Sequence, residues 1–186
     1  TKITEVAEEF GVELWHAHYA IPHAASALNA RDMLPPGNRF KVVTTLHGTD
    51  ITLVGSDPSF WRLTKFSMEQ SDAVTSVSNW LSDETMREFS LAQPPRTIYN
   101  FFNPNRFVGG RCCRETLAES REKIVMHISN FRPVKRVTDV VRVFKRIADQ
   151  IPARLVMVGD GPERLSAVGV AKQLGKIGRA SCRERV

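Results

Sequence analysis

The sequence predicts an α/β protein built from two doubly wound domains facing a cleft, both of them incomplete. Three observations predict it. Strand-sized apolar runs alternate with amphipathic stretches of about 10–15 residues, the order of parallel sheets with right-handed crossovers. The alternation breaks once, between Phe102 and Glu122. Asn103-Pro104, Gly109-Gly110 and the charge-rich stretch from Arg114 to Lys123 have little strand character there, so this is the domain boundary. Two strands also end abruptly in polar loops that lead into helices. Open α/β sheets carry their binding groups at that position. Residues 1–105 then form a first domain, 106–122 a linker and 123–176 the start of a second domain.

The elements follow in order. Residues 2–10 read as a helix with Ile3, Val6, Ala7 and Phe10 on one face. Glu13 to Ala17 is a short strand ending in His16-Ala17-His18-Tyr19, and Pro22 to Met33 is helical. Phe40 to Leu46 is a β-branched strand that stops at His47-Gly48. Ser56-Asp57-Pro58 supplies a cap and a first-turn proline for a helix from Pro58 to Gln70, with Phe60, Leu63 and Phe66-Ser67 spaced for one buried face. Ala73 to Val77 is a strand, Trp80 to Ser90 a helix capped by Ser78 or Asn79, and Arg96 to Tyr99 a strand. Beyond the boundary, Ile124 to Ile128 is a strand, Val137 to Gln150 a helix and Arg154 to Val158 a strand. Gly159-Asp160-Gly161 turns into a last helix, Pro162 to Leu174, with proline at its first position. Each block has too few strands for a complete doubly wound sheet.

Composition narrows the function classes. The 186 residues are 42% hydrophobic and 25% charged, ordinary for a globular protein. The apolar runs are too short to span a membrane. Thr1 to Glu5 reads as the start of an amphipathic helix rather than a signal peptide, and without an initiator methionine the chain reads as starting inside a longer protein. Three cysteines, two of them adjacent (Cys112, Cys113), form no disulfide framework and match no zinc spacing, which points to the reducing cytoplasm. The net charge of +6 is spread along the chain, so it reads as a solvated surface and not as a nucleic-acid footprint. The last ten residues, 177–186, carry three arginines and one glutamate and resemble the in-frame translation of a short-read sequencing adapter. They are set apart from the fold as read-through, with no strand expected in them.

The chemistry concentrates in two loops. In Thr44-Thr45-Leu46-His47-Gly48-Thr49-Asp50, His47 ends a parallel strand, where it can bind a ligand hydroxyl, and Gly48 lets the chain turn sharply. In His127-Ile128-Ser129-Asn130-Phe131-Arg132-Pro133-Val134-Lys135-Arg136, the cations Arg132 and Lys135 precede a helix N-terminus, a ready site for a diphosphate. Arg136 and Arg142 read as charges on the surface of that helix. His16, His18, His23 and Tyr19 form a dense cluster that reads as a substrate-binding surface and not a metal site, since no third ligand sits at suitable spacing. No P-loop, GxGxxG or nucleophile triad is present.

These motifs carry a resemblance. His47-Gly48-Thr49-Asp50, Asn130 to Lys135, and Val158-Gly159-Asp160-Gly161-Pro162-Glu163 resemble the retaining glycosyltransferases of family 4. His18 to Ala24, Thr44 to Thr52, Gly55 to Pro58, Glu69 to Asp72, Tyr99-Asn100-Phe101 and His127 to Arg136 are similar to the members that start bacillithiol biosynthesis. The resemblance implies two Rossmann-like domains of the GT-B type. It implies transfer of N-acetylglucosamine from UDP-N-acetylglucosamine to the hydroxyl of L-malate, with retention at the anomeric carbon. His47, Arg132 and Lys135 are then catalytic. Asn130, Arg132, Lys135, Gly159 and Gly161 bind the donor, with His47 on its sugar, and Tyr19, Thr45 and Lys65 bind the acceptor. Neither metal nor cofactor is implied, UDP-N-acetylglucosamine being the donor substrate. The implied partners are small-molecule substrates, without nucleic acid or membrane insertion, and homo-oligomerisation is left open.

The chain departs from the family pattern in three ways. It lacks the glycine-rich loop of the first strand–helix turn and the later motif with two glutamates, so these residues by themselves are expected to be inactive. Asn130 also stands where many members carry arginine. The other readings are a different acceptor on the same fold and a non-catalytic nucleotide-sugar-binding module.

Overall fold

The computed structural model of this chain describes residues 1–55, 57–106 and 114–175, and the backbone of 180–183. Ser56, Gly109, Gly110, Cys112 and Cys113 lie outside the described residues. The chain forms two compact units, Thr1–Asn103 and Pro104–Val186.

The first unit begins with α1 (Lys2–Phe10), closed at its start by a reciprocal Thr1–Thr4 capping box and at its end by Gly11 in the left-handed region. Strand β1 (Leu14–His18) follows, then a tight turn over Ala20–Ala24 with a cis Ile21–Pro22 bond, then α2 (Ala25–Met33). Next come β2 (Lys41–Leu46), the single helical turn α3 (Thr49–Thr52), α4 (Pro58–Glu69), β3 (Ala73–Ser76), α5 (Asn79–Phe89) and β4 (Arg96–Thr97). The four strands pair in parallel in the order β1-β2-β3-β4. The parallel βα alternation is as the sequence predicts. The last strand is shorter than expected: after Thr97 only Ile98 N–H, donating to the Ser76 carbonyl at 2.9 Å, prolongs the ladder.

Helices cover one face of this sheet. Ala7, Ala27, Leu28, Leu34, Phe40 and Val42 form one buried cluster. Leu46, Ile51, Met68, Leu81 and Phe89 form another, with Trp61 and Val74 against it. Each fully buried Leu or Phe contributes about 2 kcal/mol of apolar transfer. The opposite face, with Leu14, His16, His18, Val43, Thr45 and Thr75 by strand alternation, has no helix against it among the described residues.

Helix α4 corrects the pattern read from sequence. Phe60, Leu63 and Phe66 are 45%, 44% and 51% exposed, while Thr64, Ser67 and Met68 are buried. The helix lies against the Ala20–Ala24 turn and α2. Small hydroxyl residues permit that close approach because Thr64 and Ser67 return their hydroxyls to the Phe60 and Leu63 carbonyls at 2.9 and 2.8 Å. Asp57 caps α4, its carboxylate accepting from Ser59 N–H at 2.8 Å, and Ser78 caps α5 through Leu81 N–H at 3.2 Å. Phe10, assigned to the packed face of α1, is 70% exposed because α1 ends there.

The second unit comprises α6 (Arg114–Leu117), β5 (Lys123–Ile128), α7 (Val137–Ala148), β6 (Ala153–Val158), α8 (Arg164–Gln173) and β7 (Ala180–Arg183). The strands are parallel in the order β5-β6-β7. Residues 180–183 therefore do extend the sheet, against the expectation of no strand there. An open parallel edge on β6 offers a full row of hydrogen-bond partners, so even a short run of ordinary residues can pair with it. Val137, Val141, Phe144 and Ala148 make the buried stripe of α7 and meet Leu155, Met157 and Ala167. Met126 and Ile128, pointing to the other face of β5, are 51% and 68% exposed. The segment ahead of β5 is anchored by Glu122, only 7% exposed, which accepts from Arg154 Nε and Glu119 N–H, each at 3.0 Å.

Candidate functional site

The turn after β2 is organised by a buried carboxylate. Asp50 is 2% exposed. Its Oδ1 accepts from His47 N–H at 3.1 Å and Gly48 N–H at 2.9 Å, and its Oδ2 from Ala20 N–H at 3.1 Å. One side chain thus ties the exit of β2 to the exit of β1 and closes three backbone donors that would otherwise be buried unpaired. Gly48 sits at φ 114°, a region that favours glycine, and launches α3. Gly55 packs so tightly that an added Cβ would lie 2.2 Å from the Asp50 carbonyl oxygen.

On this frame the first unit gathers imidazoles and hydroxyls. The β1–β2 register sets His16 opposite Val43 and His18 opposite Thr45. Thr45 Oγ1 bonds both His16 Nε2 and Thr75 Oγ1 at 2.7 Å. His18 Nδ1 and His47 Nε2 lie 2.7 Å apart, and His23 Nδ1 donates to the His18 carbonyl at 2.6 Å. Tyr19 has φ 75°, donates its N–H to the Thr45 carbonyl at 2.9 Å, and sets its ring 4.8 Å from that of His47. His16, His18, Thr45, His47, Thr75 and Tyr99 line a hollow of about 250 Å³ at the C-terminal end of the strands. Burial, then the neighbouring His18, lowers the pKa of His16 and of His47, and Asp50 offsets part of this for His47. Neutral imidazoles can each donate and accept, which suits ligand hydroxyls. A larger hollow of about 600 Å³ among Glu69, Asp72 and Arg96 lies at the other end of the sheet, where α/β sheets do not place ligands.

In the second unit, two loops interlock through their backbones. Phe131 N–H donates to the Asp160 carbonyl at 2.8 Å, and Glu163 N–H donates to the Phe131 carbonyl at 2.9 Å. Phe131 itself is fully buried. Gly159 and Gly161 have φ 134° and 148°, and a Cβ on them would lie 1.8 Å from the Ser129 oxygen and 2.7 Å from the Phe131 oxygen. Those cross-loop bonds hold Pro162 and Glu163 in the turn, so α8 starts at Arg164 and not at Pro162 as the sequence predicts. Gly159→Ala is expected to destabilise the second unit by at least about 3 kcal/mol, since strain and a backbone clash coincide. Gly169→Ala, in the middle of α8 with nothing within 4 Å, should instead stabilise by about 0.5–1 kcal/mol. Urea unfolding of both variants in the full-length protein checks the pair.

The cations divide by their partners. Arg136 and Arg142 both bond Asp139, at 2.7 and 2.8 Å, and hold its carboxyl below the usual range. They are charges of the helix surface. Arg132 and Lys135 are exposed and make no ion pair among the described residues. They stand in the turn that leads into α7, a helix without a side-chain cap at its N-terminus. Free cations beside unpaired helix N–H groups can hold an anion.

The structure brings Tyr19, Thr45 and His47 together, and sets Asn130, Arg132 and Lys135 on the loop next to Gly159 and Gly161. It does not bring Lys65 to the hollow. Lys65 lies over the Trp61 ring at 5.4 Å and 3.7 Å from Glu69. Sequence reasoning gave Asp50, Thr75 and the His18–His47 contact no role. An Asp three residues after a strand-end histidine was the available signal for the first, because such residues bond backwards to nearby N–H groups. Among the described residues, no group of three or more His, Cys, Asp or Glu is arranged to hold a metal, and no helix is long and apolar enough to cross a membrane.

The family model described as Glycosyltransferase Family 4 matches residues 1–106. The N-acetyl-alpha-D-glucosaminyl L-malate synthase of Bacillus anthracis is 45% identical over 177 residues, covering 94% of this chain and 46% of that protein. Anabaena HepE, solved in complex with UDP-glucose, superposes with TM-score 0.79 at 17% identity, over all of this chain and 51% of its own. A glycosyltransferase of Rickettsia africae gives 0.74 at 18% identity, over all of this chain and 50% of its own. The chain spans about half the length of these relatives.

Proposed function

Because this chain belongs to glycosyltransferase family 4, we propose that it forms part of an enzyme that transfers N-acetylglucosamine from UDP-N-acetylglucosamine to the hydroxyl of L-malate, with retention at the anomeric carbon. The observation that carries this reading is the 45% identity, over 94% of this chain, to the N-acetyl-alpha-D-glucosaminyl L-malate synthase of Bacillus anthracis.

On this reading the second unit binds the nucleotide sugar. Arg132 and Lys135 neutralise the diphosphate as charge develops on the leaving group, and Asn130 binds it from the same loop, which Gly159 and Gly161 hold in place by packing closely on Ser129 and Phe131. This is electrostatic catalysis by the chain's own cations, and neither metal nor cofactor enters the proposal. In the first unit, His47 contributes a neutral imidazole to the transferred sugar, and Tyr19 and Thr45 face the acceptor. Lys65, held over Trp61 and beside Glu69, is not brought to the hollow and is given no part in the acceptor site. The substrates are small molecules, and the cysteine pattern suits the reducing cytoplasm.

The test is an acceptor screen on the full-length enzyme, following UDP release. Malate should be turned over in preference to neutral hydroxy compounds, as the similarity to the Bacillus anthracis relative leads one to expect. An inositol or neutral sugar ranked above malate overturns the proposal.

A further inference from the structure

We propose that His16 and Thr75 are specificity-determining residues of the acceptor site: with Thr45 they form one hydrogen-bonded row that receives the acceptor's hydroxyl and not its carboxylates. The inference rests on the proposed transfer to malate and names the part of that acceptor which the hollow takes.

The row is set by strand register. Thr45 stands opposite His18 on β1 and Thr75 on β3, and His16 shares the face of His18 two residues earlier. Thr45 Oγ1 lies 2.7 Å from His16 Nε2 on one side and 2.7 Å from Thr75 Oγ1 on the other. Thr45 and Thr75 are only 9% and 8% exposed, and all three side chains line the hollow. Another rotamer of Thr45 would set its methyl group between the imidazole and the Thr75 hydroxyl and take this partner from both, so the row holds the side chain in place.

What the row can offer follows from its hydrogens, whichever way each bond points. A neutral imidazole carries one N–H and each hydroxyl one O–H, so the row holds three hydrogens. Its two internal bonds take two of them. One hydrogen is left over in every arrangement, on His16 Nδ1, on Thr45 or on Thr75. Of the five lone pairs two are used and three remain. The row is therefore poor in donors and rich in acceptors. Burial, then the neighbouring His18, lowers the pKa of His16 and favours the neutral ring on which this balance depends.

An alcohol fits such a row, because it donates one hydrogen and can accept one. A carboxylate only accepts, and it would meet a single donor across the three residues. The surroundings agree. His18, His47, Tyr99 and Asn100 are the other polar residues lining the hollow, and no Lys, Arg, Asp or Glu is among its lining residues. A carboxylate would enter without a formal counter-charge, whereas a hydroxyl needs none.

Succinate, which is malate without its hydroxyl, separates the two ends of the acceptor. Thr75→Val keeps the shape of the side chain and removes its hydroxyl, and Thr75→Ser keeps the hydroxyl. His16→Phe removes the ring nitrogens and keeps a ring against His18. Steady-state kinetics of the full-length protein give kcat/KM for malate and the inhibition constant of succinate against malate. Thermal unfolding checks that each variant folds.

In Thr75→Val and His16→Phe, kcat/KM for malate should fall about five- to tenfold, the scale of one net hydrogen bond, while the inhibition constant of succinate stays within about twofold of the wild-type value. Thr75→Ser should stay near the wild type in both. A folded Thr75→Val enzyme that loses malate and succinate alike overturns the inference, because the row then meets a carboxylate or only shapes the hollow. Unchanged kcat/KM for malate in that variant overturns it too. Where succinate does not inhibit the wild type, the loss in Thr75→Val and its rescue in Thr75→Ser decide. A wild-type enzyme without malate-dependent UDP release overturns the proposed reaction and this inference with it.

Discussion

Lys135→Ala in the full-length enzyme is expected to lower UDP-sugar turnover by about two or more orders of magnitude, the scale of about 3 kcal/mol for losing one preorganised electrostatic contact. The expectation follows from how the cations of this loop are partnered. Arg136 and Arg142 share Asp139 and are already paired on the helix surface. Lys135 and Arg132 are left to meet an anion at the uncapped start of α7. Arg142→Ala is the control: it removes a charge from the same helix and should leave turnover near the wild-type value. Steady-state kinetics of the two variants side by side decide the matter. Near-normal turnover in Lys135→Ala would take that residue out of the site.

The second large effect concerns the first unit. Asp50→Ala should cost about 3 kcal/mol or more of stability, because three backbone N–H groups lose a charged acceptor in a buried place. Activity should fall as well, since the carboxylate holds the exits of β1 and β2 in one geometry and His47 stands on that turn. Asp50→Asn should fall between, because it keeps one carbonyl oxygen but turns an amide N–H toward donors on the other side. Urea unfolding and kcat on the same preparations measure both quantities. An alanine variant as stable as the wild type would mean that water replaces the carboxylate freely.

Much of this was legible in the sequence because it is local. The α1 boundaries follow from Thr1, Gly11 and a 3.6-residue period. The parallel βα order follows from element lengths, and the helix from Val137 follows from its apolar stripe. The two candidate loops could be picked out because parallel topology forces every strand-to-helix loop to the same edge of its sheet. A histidine or a pair of cations in such a loop is therefore already placed before any contact is known.

The sequence by itself determined the class of fold and the parallel βα alternation, and it singled out the two strand-end loops as candidates. Only the tertiary structure decided which face of α4 is buried, because that depends on how closely the Ala20–Ala24 turn comes to it and not on the helix's own period. Tertiary structure alone also made Asp50 a three-way acceptor, joined Gly159 to Ser129, and set His18 against His47 across 29 residues of chain. Each of these contacts depends on strand register and backbone approach. A one-residue slip of β1 against β2 would turn His18 to the other face of the sheet, and local propensity does not encode that register.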